Sequence, residues 1–442
     1  MDNNFSGNNR SESVSFALQS VILMFALCLY LAVWFLMSFD ENAFLQIDSA
    51  DYRFLGKAIF NDFNFPSSFR TPVFPVFQGF WESFLGLSVS HYILVQILLA
   101  VSNIYLLGRL VSFFVGPKWQ LAAMFVMSLD LITIQVANYV LSETLFSFLL
   151  LLSLNLLQLI NVSSKNRYGL AIVCGLTFGL FSLCRPVGQF IPFILIPWVI
   201  LYRQEDHSIK SRCVVSAIIV IISLSCVHAW KFNNLINKGH YFTSITTSFN
   251  MYNYRAAWNV AYRDGRTFED VKDEFHANRS DFKRQNPLLS EYEIGRHFTK
   301  EGFHIILSTP KETFFQAVRG LIFLYGGIYN GSLERVFQDH QARIAAQGYS
   351  LLYSLLLYFG VLLSLFYWKH FNAQQRSLFA LSGLVIFYFT FFSIGVESYA
   401  RLRAPFMPYL VLLSVLGWIS WLQKRFFIRK RCMKKYFIKN KE

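Results

Sequence analysis

An all-α polytopic membrane bundle of about ten transmembrane helices is the fold class this sequence predicts, and three observations predict it. The 442 residues are 54% hydrophobic and only 15% charged, far from the balance of a water-soluble domain. Apolar runs of the roughly 20 residues that a helix needs to cross a bilayer recur along the chain. Basic residues gather between and after those runs, the pattern that membrane topology imposes.

Residues 1–14 are polar and rich in Asn and Ser, and read as a disordered cytoplasmic leader. The first span follows from about Ser15 to Phe39; it is longer than a signal peptide's apolar core and lacks a small-residue cleavage site. A charged first loop, residues 40–89, is expected on the extracytoplasmic side. It holds Asp48-Ser-Ala-Asp-Tyr-Arg53, a short helix near Tyr52 to Phe60, and a Pro-rich stretch from Arg70. That stretch leads into Val73 to Leu85, aromatic and interrupted by proline, which is better placed along the interface than across it.

Spans two to five are expected at about Ser90–Val115, Trp119–Val136, Val140–Ile160 and Leu170–Cys184. Span six follows Arg185-Pro186 and continues to Tyr202, and span seven runs about Val214–Phe232. Lys165 and Arg167, then Arg203, Lys210 and Arg212, mark cytoplasmic turns. Gly175 and Gly179 in span five have the small-xxx-small spacing that lets two helices approach closely.

A soluble insert, 233–348, comes after span seven, and an odd count of crossings puts it outside. Within it, 313–330 carries Arg319 near its centre and sits at the lower limit for spanning, so it reads as interfacial or re-entrant. Three clear spans, about Leu351–Trp368, Leu378–Val396 and Pro405–Leu422, return the chain to the inside. There the tail 424–442, with nine Lys or Arg against one acid, satisfies the positive-inside rule. The chain thus divides into a leader (1–14), a membrane module (15–232), the insert (233–348), C-terminal spans (349–423) and a basic cytoplasmic tail (424–442).

The net charge of +14 comes largely from that tail, which answers to anionic membrane lipids, so no nucleic-acid partner is expected. The six cysteines (28, 174, 184, 213, 226 and 432) show no C-x-x-C pair or metal-ligand spacing, and read as small hydrophobes. Walker, G-x-S-x-G and H-E-x-x-H motifs are missing from the sequence, so nucleotide hydrolysis, serine-hydrolase and zincin chemistry have no motif behind them.

The span count collects four polar elements on the extracytoplasmic face. They are the first loop with Asp48, Asp51, Asp62 and Arg70, the Leu141-Ser-Glu-Thr144 turn, Arg185-Pro186, and Glu397 to Arg403. Asp48 and Glu143 suit acid–base work, since partial desolvation can raise a carboxyl pKa toward neutrality. The plain alternative is a solvated loop residue for Asp48 and a helix-dipole partner for Glu143. Asp130 within span three is either an intramembrane functional acid or a residue at an early helix end. Arg70, Arg185, Arg401 and Arg403 can each fork onto phosphate oxygens, or each anchor to headgroups. His228 and His240, flanking the end of span seven, are weaker candidates.

Four motifs in order carry a family resemblance. Asp48-Ser-Ala-Asp-Tyr52, Arg70-Thr-Pro-Val-Phe-Pro75, Leu141-Ser-Glu-Thr-Leu-Phe146 and Tyr399-Ala-Arg-Leu-Arg-Ala-Pro-Phe-Met-Pro408 resemble the elements of glycosyltransferase family 39-like membrane proteins. That group belongs to the C-type glycosyltransferase superfamily and includes protein O-mannosyltransferases and bacterial aminoarabinose transferases. The resemblance implies a C-type bundle in the cytoplasmic (inner) membrane that moves a hexosyl or pentosyl group from a polyprenyl-phosphate donor. The acceptor is a lipid, glycan or protein at the extracytoplasmic face, and the mechanism inverting. It implies Asp48 as catalytic base, Glu143 as a second acid, and Tyr52, Arg70, Arg185, Arg401 and Arg403 as substrate-binding residues. No cofactor is implied by a ligand spacing, although a divalent metal ion bridging carboxylate and phosphate is compatible with this chemistry. Ser49 stands where a paired-acid version of the first motif has a second acid. The competing readings are a polytopic transporter or lipid-linked sugar flippase, which predicts repeats with interrupted helices, and another membrane transferase. No clear repeat relates the halves.

Overall fold

The computed structural model describes residues 5–162, 166–201, 208–326, 336, 339–395 and 399–439. Lys165, Arg203, Glu397, Asn330 and the side chains of the tail beyond Lys424 lie outside the described residues. All regular structure among the described residues is helical, with no strand.

In chain order, α1 (Phe5–Met37) contains the apolar span Ser15–Met37 and runs back into the stretch read as a leader. Two amphipathic elements follow, α2 (Ile47–Asp62) and α3 (Val73–Gly79), the latter continued by a π-helical turn, Phe80–Phe84. Then come α4 (Val89–Phe114), α5 (Pro117–Ser128), α6 (Leu131–Ala137), α7 (Glu143–Val162) and α8 (Arg167–Cys184). A 3-10 turn over Pro186–Phe190 leads into α9 (Ile191–Leu201), followed by α10 (Ile209–Lys238). The middle of the chain holds α11 (Thr246–Ser248), α12 (Ala257–Asp264), α13 (Phe268–Gln285), α14 (Glu291–Ser308) and α15 (Pro310–Gly326). Finally α16 (His340–Tyr367), α17 (Ala373–Ser393) and α18 (Met407–Lys439) return to the bundle.

Eight of these segments are long and apolar enough to cross a membrane. The expected third span is instead the pair α5 and α6, bent by 63° at a break around Asp130, and counts as a ninth span if the pair is taken together. Asp130 is the reason for the break: its carboxylate accepts the Thr133 N–H at 2.9 Å and caps a new helix start. The stretch expected as span six differs as well. Pro186 and Pro192 bracket a 3-10 turn, and α9 has 11 residues, about 17 Å of helix.

Centre and periphery separate clearly. The spans of α7 and α18 are each 78% buried, whereas that of α1 is 17% buried and presents Phe35 and Leu36 outward. Outward apolar side chains need no partner in a helix surrounded by lipid tails. The expected close approach through Gly175 and Gly179 joins α8 to α10. A Cβ on Gly175 would lie 2.7 Å from Ile222, and one on Gly179 would lie 2.6 Å from Cys226, so only glycine admits this spacing.

A second close approach positions the first loop. A Cβ on Gly79 would lie 2.6 Å from the Cα of Gly56, so α3 is pressed directly against α2. The chain between α10 and α15 builds a small core of its own from Tyr252, Ala256, Val271, Phe275, Ile294 and Phe298. Arg279 closes it, its guanidinium 3.8 Å from the centre of the Phe249 ring and donating to Ser248 Oγ at 2.7 Å.

Candidate active site

The site starts at the N-terminus of α2. Gln46 and Ser49 form a reciprocal capping box there, and Ser49 Oγ also donates to the Val140 carbonyl at 2.9 Å. That bond ties the start of α2 to the loop before α7. It leaves Asp48, in the first turn of α2, between elements that are far apart in sequence.

Asp48 uses both carboxylate oxygens. Arg70 Nη2 donates to Oδ1 at 2.8 Å, and Arg401 Nη2 donates to Oδ2 at 2.7 Å. Arg70 also reaches Asp51 Oδ2 at 3.0 Å and donates to the Tyr52 hydroxyl at 3.3 Å, with its guanidinium 4.7 Å above the Tyr52 ring. Arg401, in the 3-10 segment Ala400–Phe406, extends toward Glu143 Oε1 at 3.9 Å. Glu143, the first residue of α7, pairs with Arg185 Nη1 at 2.7 Å.

Six charges therefore alternate in sign from Asp51 through Arg70, Asp48, Arg401 and Glu143 to Arg185. Three carboxylates balance three guanidinium groups. Exposure grades along the chain: the Asp51 side chain is 57% exposed, that of Asp48 26%, and that of Glu143 2%. Burial pushes the Asp48 carboxyl upward, but the Arg401 and Arg70 guanidinium groups beside it outweigh burial and hold it down at about 2. The upward shift expected for a desolvated carboxyl is thus reversed at Asp48 by its two cations.

No family model matches the chain, and no curated protein matches it in sequence. Solved structures do. The oligosaccharyltransferase of Archaeoglobus fulgidus, in complex with zinc and sulfate, superposes over 92% of this chain and 50% of its own, at 13% identity and a TM-score of 0.54. The same archaeal enzyme, AglB, in complex with an inhibitory peptide and a dolichol-phosphate, covers 93% of this chain and 51% of its own, at 13% identity and a TM-score of 0.52. The chain therefore shares the fold of that archaeal enzyme over most of its own length. It spans about half the length of that archaeal enzyme.

Within this fold, six of the seven residues that the family resemblance assigns to the site come together: Asp48, Tyr52, Arg70, Glu143, Arg185 and Arg401. Arg403 does not join them. Its side chain is buried and donates to the carbonyls of Leu324, at 3.3 Å, and Tyr325, and to the Tyr358 hydroxyl. Those carbonyls belong to the last turn of α15, so Arg403 satisfies a helix C-terminus rather than facing the cluster. His228 pairs with the Tyr241 hydroxyl, and His240 with Ser290 Oγ at 2.9 Å, whereas the partners of Asp48 are Arg70 and Arg401. Asp51 is an addition to the site. It lies three residues after Asp48 and hence on the same face of α2, a spacing visible in the sequence.

The fit of a divalent metal ion can be judged from the donors present. Among the described residues no three of His, Cys, Asp or Glu gather around one point. Asp48 and Glu143 each already carry a guanidinium partner. This donor set does not fit a metal site, and the charges available to an anion are those of arginine.

A cavity of about 740 Å³ opens beside the cluster rather than at it. It lies between the end of α2, the strap of residues 63–72, the end of α10 and the start of α14. Arg70 belongs to that strap, so cavity and cluster share a wall.

Proposed function

We propose that this protein is a membrane glycosyltransferase that moves a sugar from a polyprenyl-phosphate-linked donor to an acceptor hydroxyl at the extracytoplasmic face of the cytoplasmic membrane. The observation that carries the reading is the charge chain itself. A carboxylate held by two arginines sits where the first loop meets the ends of membrane helices. A lipid-linked donor keeps its tail among the helices and its phosphate at their ends, so the reacting bond falls at this level.

Asp48 acts as the base. The acceptor oxygen attacks the anomeric carbon, the bond from that carbon to the phosphate oxygen breaks, and the acceptor proton passes to Asp48. The configuration inverts, and polyprenyl phosphate leaves with the electron pair. Arg70 and Arg401 meet its growing charge, since a guanidinium fork matches phosphate oxygens. A carboxyl held at about 2 is a weak base while both arginines bind it. A phosphate that shares those arginines loosens their hold and restores basicity, so the base is switched on when the donor arrives. Glu143, being buried, holds Arg185 and Arg401 in place rather than touching the acceptor.

The test is transfer from a polyprenyl-phosphate sugar by the full-length protein reconstituted in vesicles. Asp48→Asn is expected to lower turnover by about 10²–10⁴-fold, the range for a lost general base. Glu143→Gln is expected to reduce it less. Near wild-type turnover in Asp48→Asn removes Asp48 as the base.

A further inference from the structure

We infer that the 740 Å³ cavity is the acceptor groove, and that it takes an uncharged segment of a glycan. Its volume lies within the roughly 300–1,000 Å³ typical of small-ligand sites. Its lining combines aromatic rings, Phe63, Phe65, Trp230, Phe242 and Tyr292, with the carboxamides of Asn64, Asn233 and Asn237. Flat apolar rings pack against the C–H faces of pyranose rings, and a carboxamide both donates to and accepts from hydroxyl groups.

Of the two charged side chains in the lining, only Glu291 has a counter-ion, and Lys238 keeps its charge against neutral partners. The Lys238 ammonium donates to the Ser67 carbonyl and lies 5.5 Å from the centre of the Phe65 ring, and Glu291 pairs with Lys283. One ammonium turned onto the strap is a weak hold on an anion beside the arginines Arg70 and Arg401 that bind Asp48, and this separates the occupant from the anionic donor. The aromatic wall is fixed before anything binds. Trp230 donates its indole N–H to the Thr243 carbonyl at 3.0 Å, with Phe65 edge-on to it at 5.1 Å.

Phe63 is the second, independent observation. It ends α2 in the left-handed region at φ 49°, the one non-glycine residue with positive φ among the described residues. A bulky residue is strained there, in a position that glycine fills at no steric cost. Its ring is nonetheless 95% exposed at the rim of the cavity and packs against almost nothing. Strain kept for a side chain without a packing role points to a ligand contact.

The strap joins groove to cluster. Ile245 N–H donates to the Ser68 carbonyl at 3.0 Å, and Ser244 and Thr246 hydroxyls donate to the Phe69 carbonyl at 2.6 and 2.7 Å. The next residue is Arg70, bound to Asp48. An acceptor lying in the groove therefore ends one strap-width from the proposed base. This inference rests on the transferase reading for the meaning of "acceptor", but binding itself does not depend on transfer.

Full-length protein in lipid nanodiscs, applied to an array of neutral oligosaccharides, uronic-acid oligosaccharides and unglycosylated peptides, tests it. Retention on neutral oligosaccharides is expected, weakened by about tenfold in Phe63→Gly and in Trp230→Ala. Phe63→Gly is also expected to melt no lower than wild type, because the substitution relieves the left-handed position; a purely structural Phe63 would not give weaker binding with unimpaired stability. Silence on all neutral glycans, preference for uronic acids or peptides, or equal retention by both variants overturns the groove. A silent array beside active transfer removes the groove alone. A binding array beside a fully active Asp48→Asn enzyme removes the catalytic reading alone.

Discussion

Asp48 gives each of its oxygens to a different arginine, and this sets how the protein answers to acid. Its carboxyl is held at about 2 against an ordinary value of 3.8, so the folded state binds the proton more weakly than the unfolded chain does. The stabilisation is complete above about pH 4 and is lost as pH falls toward about 2. A shift of that size corresponds to about 2 kcal/mol. Thermal unfolding of wild type and Asp48→Asn in nanodiscs from about pH 6 down to about pH 2 measures it. The gap between the two is expected to close at the acid end, and a gap independent of pH contradicts the pairing. The residue scale also shows what the sequence conceals. Arg401 and Arg403 are equally basic and two positions apart, but with about three residues per 3-10 turn they leave the segment in different directions. One meets Asp48 and the other the end of α15. That divergence depends on a 3-10 geometry that composition does not signal.

At the scale of elements, the seam between α8 and α10 is the clearest case of a feature legible in advance. Gly175 and Gly179 recur four residues apart, hence on one helix face, and the structure puts Ile222 and Cys226 where their side chains would be. Gly179→Leu is expected to force the two helices apart and lower stability by about 1–3 kcal/mol, the usual cost of overpacking. A melting temperature unchanged from wild type in the same detergent contradicts the close approach. The bent third span traces to one side chain. Asp130 sits in a run whose mean hydropathy reads as a single span, and one capped turn bends that run by 63°. Hydropathy averages over such a turn, whereas capping is a property of one side chain and one N–H.

The whole bundle was legible because lipid imposes a simple demand, long apolar helices with their backbone bonds made internally. Which side of the membrane carries the cluster follows in the sequence only from counting spans and basic turns. Single cysteines placed at Asp62, Asp264 and Lys369 in a cysteine-free chain test that count in intact cells. A membrane-impermeant maleimide is expected to label the first two and spare the third; labelling of the third alone inverts the proposed topology. The aromatic cavity was not legible, because Phe63, Trp230 and Tyr292 lie in three separate parts of the chain and meet only when α10 and the middle helices are folded. One consequence concerns the order in which the protein is made. Asp48 emerges from the ribosome early, and its partner Arg401 follows 353 residues later. Through most of translation the carboxylate has at most the nearby Arg70. The charge chain closes only when the last membrane hairpin has been threaded, so a chain cut short before Arg401 holds an unbalanced acid at its centre. Completion of synthesis is thus built into the charge chain as a condition for forming it.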